Sequence, residues 1–98
     1  MAKKIIISNR FRRNVKTTYH YIAEKFSART AFFFLDKLEN RIEFIALYPE
    51  AGKLSQKKEN IRCISLTPHN YIYYRTTTDS IEILCLFDMR KNPKNRPY

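Results

Sequence analysis

The 98-residue chain has one glycine, Gly52, two cysteines, nine acidic residues and no long apolar run. With 44% hydrophobic residues beside it, the scarcity of glycine excludes disorder and low complexity, because a chain this apolar offsets its ordering entropy by burial. Cys63 and Cys85 lie in strand-like apolar runs, with no C-x-x-C spacing and no histidine companion. Reduced core thiols are expected, with no zinc site, redox pair, metal or cofactor. No stretch reaches the ~18 to 20 apolar residues of a membrane helix, and "MAKKIIISNR" has three isoleucines where a secretion signal needs about seven or more. A cytoplasmic protein without membrane or small-molecule ligand is expected.

Against nine acids stand 19 Lys and Arg, a formal charge of +10. Residues 1–29 carry eight bases and one acid, residues 30–59 five of each, and residues 60–98 six bases and three acids. The two ends therefore supply the field, which suits a nucleic acid, a nucleic-acid-bound machine or an acidic protein partner. The length predicts one domain over residues 1–98, with a basic tail from about 91 to 98 and a single two-layer core.

"KKIIIS" reads as a short strand that ends at Ser8, which with Asn9 offers a helix N-cap. From there Phe11, Val15, Tyr19, Ile22 and Phe26 step along one helical stripe, predicting a helix from roughly Asn9 to Lys25. Ser27 caps a second helix with Ala31, Leu35, Leu38, Ile42, Ile45 and Ala46 inward, and "YPEAG" stops it. In "TAFFFLDK" three consecutive phenylalanines spread over about 200° of helix, so they cannot share one core. Phe32 and Phe34 should flank the stripe. Phe33 should point outward with Lys37 and Phe44, a candidate partner surface.

After the polar loop "KLSQKKEN", "IRCISL" and "YIYYRTT" form a hairpin through "TPHN", and "SIEILCLFD" follows across a turn near Thr78 and Asp79. The order β-α-α-β-β-β predicts an α+β fold, a helical hairpin on one face of a mostly antiparallel four-stranded sheet. By strand alternation, Ile81, Ile83, Cys85 and Phe87 should face the helices, leaving Glu82, Asp88 and Arg90 on the open side.

"YIAEKFSARTAFFFLDKLENRIEFIALYPEAGK", "IRCISLTPHNYIYYR" and "IEILCLFDMRKNP", in this order, resemble the RelE/ParE superfamily of type II toxin-antitoxin toxins, also called plasmid-stabilisation proteins. The resemblance spans about residues 5–95. It implies a small cytosolic poison held inactive by a cognate acidic antitoxin, whose C-terminal segment wraps the toxin. RelE-like members cut messenger RNA in the ribosomal A site, whereas ParE-like members poison DNA gyrase and are not nucleases.

RNA cleavage at the 2′-OH needs a proton acceptor, cations for the phosphorane-like charge and an acid for the leaving oxygen. RelE-like toxins supply these from two alternating lysines, an arginine in the third strand, and an arginine plus a tyrosine after the fourth. In this sequence the lysine positions hold Cys63 and Ser65, the third-strand position holds Tyr71, and Arg90 alone matches. Tyr98 is the candidate late tyrosine, and His69 is the acid–base residue nearest this face. Arg62, Arg75, Tyr71 and Tyr73 are potential substitutes, and the strand register decides which of them reach Arg90.

The resemblance thus favours a ParE-like gyrase inhibitor, with a ribosome-dependent mRNA interferase as the alternative. Arg90, Lys91, Arg62 and Arg75 are the expected target-binding residues, and Arg90 would be catalytic in a nuclease. Phe33, Phe44 and Lys37 are the expected antitoxin contacts, to be laid against an acidic peptide that folds as it binds.

Overall fold

Ser8 joins the first strand to the first helix with one hydroxyl. In the computed structural model, which describes residues 3–90 and 97–98, Ser8 Oγ accepts the Phe11 N–H at 2.9 Å and donates to the Leu84 carbonyl at 2.7 Å. The first bond caps helix α1 (Asn9–Lys25) directly after strand β1 (Lys4–Ile7). Ser27 repeats the device for α2 (Ala28–Leu47), accepting the Thr30 N–H at 3.0 Å. β2 (Lys53–Leu54), β3 (Ile61–Ser65), β4 (Asn70–Thr76) and β5 (Ser80–Asp88) complete one sheet in the order β1-β5-β4-β3-β2. β1 pairs with β5 in parallel and the other neighbours are antiparallel. Neither helix is long and apolar enough to cross a membrane.

The sheet has five strands where the sequence pattern predicts four. β2 is only two residues, paired Lys53↔Cys63 and Leu54↔Arg62, too short to carry a periodicity. Side chains from elsewhere hold it in line. Tyr74 Oη donates to the Pro49 carbonyl at 2.8 Å and accepts the Gly52 N–H at 2.9 Å, while Arg62 Nη1 donates to the Gly52 carbonyl at 2.8 Å. Gly52 is needed for this approach, since a Cβ there would lie 2.6 Å from Tyr74 Oη.

A hydrophobic core fills the space between the helices and the sheet. Phe11, Phe34, Leu38 and Ile45 of the helices meet Ile72, Tyr74, Ile81, Ile83 and Leu86 of the strands. On α2 the buried line runs through Ala31, Phe34, Leu38 and Ile45. Phe32, expected to flank it, is 65% exposed, much like Phe33 at 56%, because each lies one residue, about 100°, from a member of that line.

A second cluster forms on the opposite face of the sheet, where Ile61, Tyr73 and Cys85 are buried against Cys63, Tyr71, Leu84, Phe87 and Tyr98. Its existence corrects the expected alternation in β5. Ile81 and Ile83 face the helices, but Cys85 and Phe87 face away, and Leu86 takes the inward place. The cause is a bulge. Tyr74 pairs with Ile83 and Tyr73 with Cys85, so Leu84 has no partner in β4 and the inward–outward parity inverts beyond it.

Two polar groups of the first helical segment secure the irregular strand. Ser8 holds the Leu84 carbonyl, and Asn14 Oδ1 accepts the Leu86 N–H at 3.1 Å where β1 has already ended. Ser8→Ala therefore removes a helix cap and a bulge anchor together. The expected loss is about 2 kcal/mol, read as a lower denaturant midpoint at unchanged slope; an unmoved midpoint would show that neither bond matters.

Candidate functional site

The exposed face of the sheet is organised by the register into rows. Lys53, Cys63, Tyr73 and Cys85 form one, and Ser65, Tyr71 and Phe87 the next. A cleft of about 490 Å³ lies over them, lined by Lys53, Lys57, Ser65, Tyr71, Tyr73 and Tyr98 among others. Tyr98 packs on Tyr73 with 5.7 Å between ring centroids, and the Arg10 guanidinium lies 6.0 Å from the Tyr98 ring. The late tyrosine singled out in the sequence does reach this face. His69 does not line it; its N–H donates to Thr67 Oγ1 and its carbonyl accepts the Met89 N–H.

Beneath the tyrosines, Cys85 is fully buried. Burial pushes its thiol up to about 11, with Arg10 pulling weakly the other way. Burial likewise raises Tyr74, against the opposing hydrogen bond from Gly52 N–H. A raised thiol costs nothing below the unfolded value near 9, where both states are protonated, and loses stability as pH climbs toward the folded value. From about pH 8 to about pH 10.5 the Cys85 share of this loss is roughly 2 kcal/mol. Denaturant unfolding of wild type and Cys85→Ala isolates it, since Tyr74 is common to both. Parallel alkaline slopes would contradict the assignment.

The three expected target-binding cations among the described residues, Arg62, Arg75 and Arg90, do not form one patch. Arg62 is spent on the Gly52 and Glu50 carbonyls. Arg75 is paired with Glu82 across strands at 2.8 Å, and Lys91 lies outside the described residues. Arg90, expected on the open side, borders the helical hairpin: the parity inversion at Leu84 turns Asp88 to that side, and the turn at Met89–Arg90 folds Arg90 back onto the Asp88 carboxylate. Its Nη2 lies 3.2 Å from Asp88 Oδ2, and its backbone N–H donates to Asp88 Oδ1 at 2.9 Å. The Asp88 carboxylate raises the guanidinium further above its usual range, chiefly by hydrogen bonding.

On the helix side Arg90 borders a second cleft, of about 330 Å³, between the second half of α1, the first half of α2 and the β3–β4 loop. Phe33 and Lys37, two of the expected antitoxin contacts, line it together with Tyr21, Phe26, Asn70 and Asp88. Phe33 carries the Arg29 guanidinium 5.5 Å from its ring centroid. Phe44 lies farther along α2 beside Tyr48, with ring centroids 5.1 Å apart, and does not line this cleft.

The geometry thus unites residues that the sequence assigned to two different surfaces. Tyr21 and Asn70 went unnoticed in the sequence, the first as a polar-face residue of α1 and the second as ordinary loop chemistry. Among the described residues, no group of three or more His, Cys, Asp or Glu is placed to hold a metal ion.

Residues 5–93 match the family model described as ParE toxin of type II toxin-antitoxin system, parDE. Among solved structures the chain is similar to one from the chromosomal ParDE toxin-antitoxin system of P. aeruginosa, with TM-score 0.77, 12% identity, and coverage of 89% of this chain and 96% of that one. It is also similar to one from the E. coli DinJ-YafQ toxin-antitoxin complex, with TM-score 0.66, 11% identity, and 94% and 98% coverage. A copper-bound mutant toxin from Helicobacter pylori gives 0.61, 14%, 92% and 98%. At these identities the structural likeness is one of fold. No curated protein matches the sequence significantly.

Proposed function

This chain belongs to the ParE toxin family of type II toxin-antitoxin systems, and we propose that it acts in the ParE manner: freed from its antitoxin in the cytoplasm, it binds DNA gyrase and traps the DNA-cleaving state without performing chemistry of its own. The observation that carries this reading is the composition of the open face. Where RelE-like toxins place alternating lysines, β3 carries Cys63 and Ser65, neither of which holds a positive charge. Arg90 is turned to the opposite side and tied to Asp88. Cleavage at a 2′-OH requires cations beside the phosphate and a proton acceptor within hydrogen-bond reach, and this face supplies neither at those positions.

The partner that silences such a toxin is an acidic antitoxin segment, drawn by the +10 charge and seated on the helix side over Phe33 and Lys37. Because Arg90 borders the same cleft, a segment lying there covers a target-binding cation directly. Purified chain added to gyrase and relaxed plasmid should block supercoiling and accumulate protein-linked cleaved DNA. Undiminished supercoiling without cleaved DNA would remove the proposal.

One observation favours the nuclease alternative. Lys53 and Lys57 line the open-face cleft beside Tyr71, Tyr73 and Tyr98, so cations from β2 and the loop after it stand near hydroxyls that can exchange protons. Under that reading Lys53→Ala abolishes cleavage of translated message; under the gyrase reading there is no cleavage to abolish.

A further inference from the structure

A groove of about 400 Å³ runs between α1 and α2 and shares no lining residue with the two clefts described above. Its floor is apolar, with Phe11, Val15 and Tyr19 of α1 beside Leu35, Leu38 and Ile42 of α2. On a helix the residue after a floor position is turned about 100° further around, and here that turn carries a charge out to water. On α1 the residues so placed after Phe11 and Val15 are Arg12 and Lys16. On α2, Asp36, Glu39 and Glu43 follow Leu35, Leu38 and Ile42, and all five charged residues are exposed. The groove therefore has one basic bank and one acidic bank. Three of the nine acidic residues of the chain stand in this single row, and none of the five enters an ion pair among the described residues.

We infer that a second copy of this chain covers the groove. An acidic antitoxin segment or a nucleic acid laid there would be drawn by one bank and repelled by the other, whereas a second hairpin carries the same two banks and can present them in the opposite order. Two hairpins stack face to face about a two-fold axis in one of two ways. An axis across the helices sets α1 on α1 and opposes like charges. An axis along them sets α1 of each copy over α2 of the other, so that every basic row meets an acidic one and the contact closes as a self-complementary dimer. In a hairpin the start of α1 lies beside the end of α2, so Arg12 then faces the partner's Glu43 and Lys16 faces the partner's Glu39. Helices of 17 and 20 residues, each about 10 Å across and rising ~1.5 Å per residue, present a face of roughly 500 Å² per copy. That is the lower end of specific interfaces, with an apolar centre and a charged rim, and it suits a reversible dimer with a dissociation constant of about 10 µM. Lys37 of the antitoxin seat lies two residues from Glu39, about 200° around α2, so the dimer leaves that seat open and the inference stands apart from the proposed function.

Sedimentation equilibrium of the full chain tests it. At about 100 µM, ten times the expected constant, the wild-type chain should be mostly dimeric. Glu39→Lys with Glu43→Lys makes both banks basic, and Arg12→Glu with Lys16→Glu makes both acidic. Each pair should weaken self-association by about 100-fold or more and keep the circular dichroism of the folded chain, since all four positions are exposed. An equimolar mixture of the two variants should dimerise again, because each bank then finds its opposite, although both variants retain a net positive charge. A wild-type chain that stays monomeric at this concentration, including one whose groove is covered only when antitoxin is added, overturns the inference. So does a dimer that either folded variant leaves intact, or a mixture that remains monomeric.

Discussion

A chain carrying Phe33→Asp and Lys37→Glu should arrest growth even when its antitoxin is co-expressed. Both side chains are exposed on α2 and line the helix-side cleft, so neither substitution disturbs the core. The new carboxylate at position 33 lies within reach of Arg29, whose guanidinium now rests over the Phe33 ring, and this favours a folded variant. Against an acidic partner the double change removes an aromatic contact and replaces attraction with repulsion. Central aromatic residues of an interface cost about 2 kcal/mol or more when lost, and like-charge juxtaposition adds to that. The affinity for antitoxin should therefore fall by about 100-fold or more. Phe44→Asp makes the comparison: Phe44 is 38% exposed and packed on Tyr48 away from the cleft, so its effect should stay below about 10-fold. Colony formation under co-expression and the dissociation constant of the purified complex both read the difference. A double variant that is still neutralised would place the antitoxin elsewhere.

Leu86→Asp should prevent folding, whereas Phe87→Asp should leave a folded chain. The difference follows from the bulge at Leu84. Beyond it Leu86 turns into the helix-side core, where an unpaired carboxylate has no partner and costs upward of about 4 kcal/mol, a large part of the stability of a domain this size. Phe87 lies on the opposite face, half-buried at the edge of the tyrosine cluster, with its ring 6.4 Å from that of Tyr73. Its loss removes packing worth about 1–2 kcal/mol. Strict alternation from Ile81 would give the reverse order, with Phe87 inside and Leu86 outside. Circular dichroism of the two purified variants distinguishes the arrangements. A folded Leu86→Asp beside an unfolded Phe87→Asp would refute the bulge.

The elements that local chemistry determines were legible in the sequence. Ser8 and Ser27 cap their helices as their positions suggest, the proline and glycine after Leu47 end α2, and "TPHN" closes a hairpin. Features that depend on a neighbour brought in from far along the chain were not. β2 exists because Tyr74 and Arg62 grip the backbone at Gly52, and two residues show no pattern by themselves. The face of Arg90 depends on one unpaired leucine six residues before it, anchored by Ser8 from the other end of the chain. Arg62 reads as a free basic group and is in fact a brace for the β2 turn. Asn70 looks like ordinary loop chemistry, and only the packing around it leaves its amide oxygen alone.

The account holds that this chain binds its target and does not cut RNA. Primer extension on messages recovered from cells arrested by this chain tests that most directly. It predicts transcripts with no new 5′ ends in translated regions. New ends phased with codons, present with the wild-type chain and lost with Lys53→Ala, would contradict it.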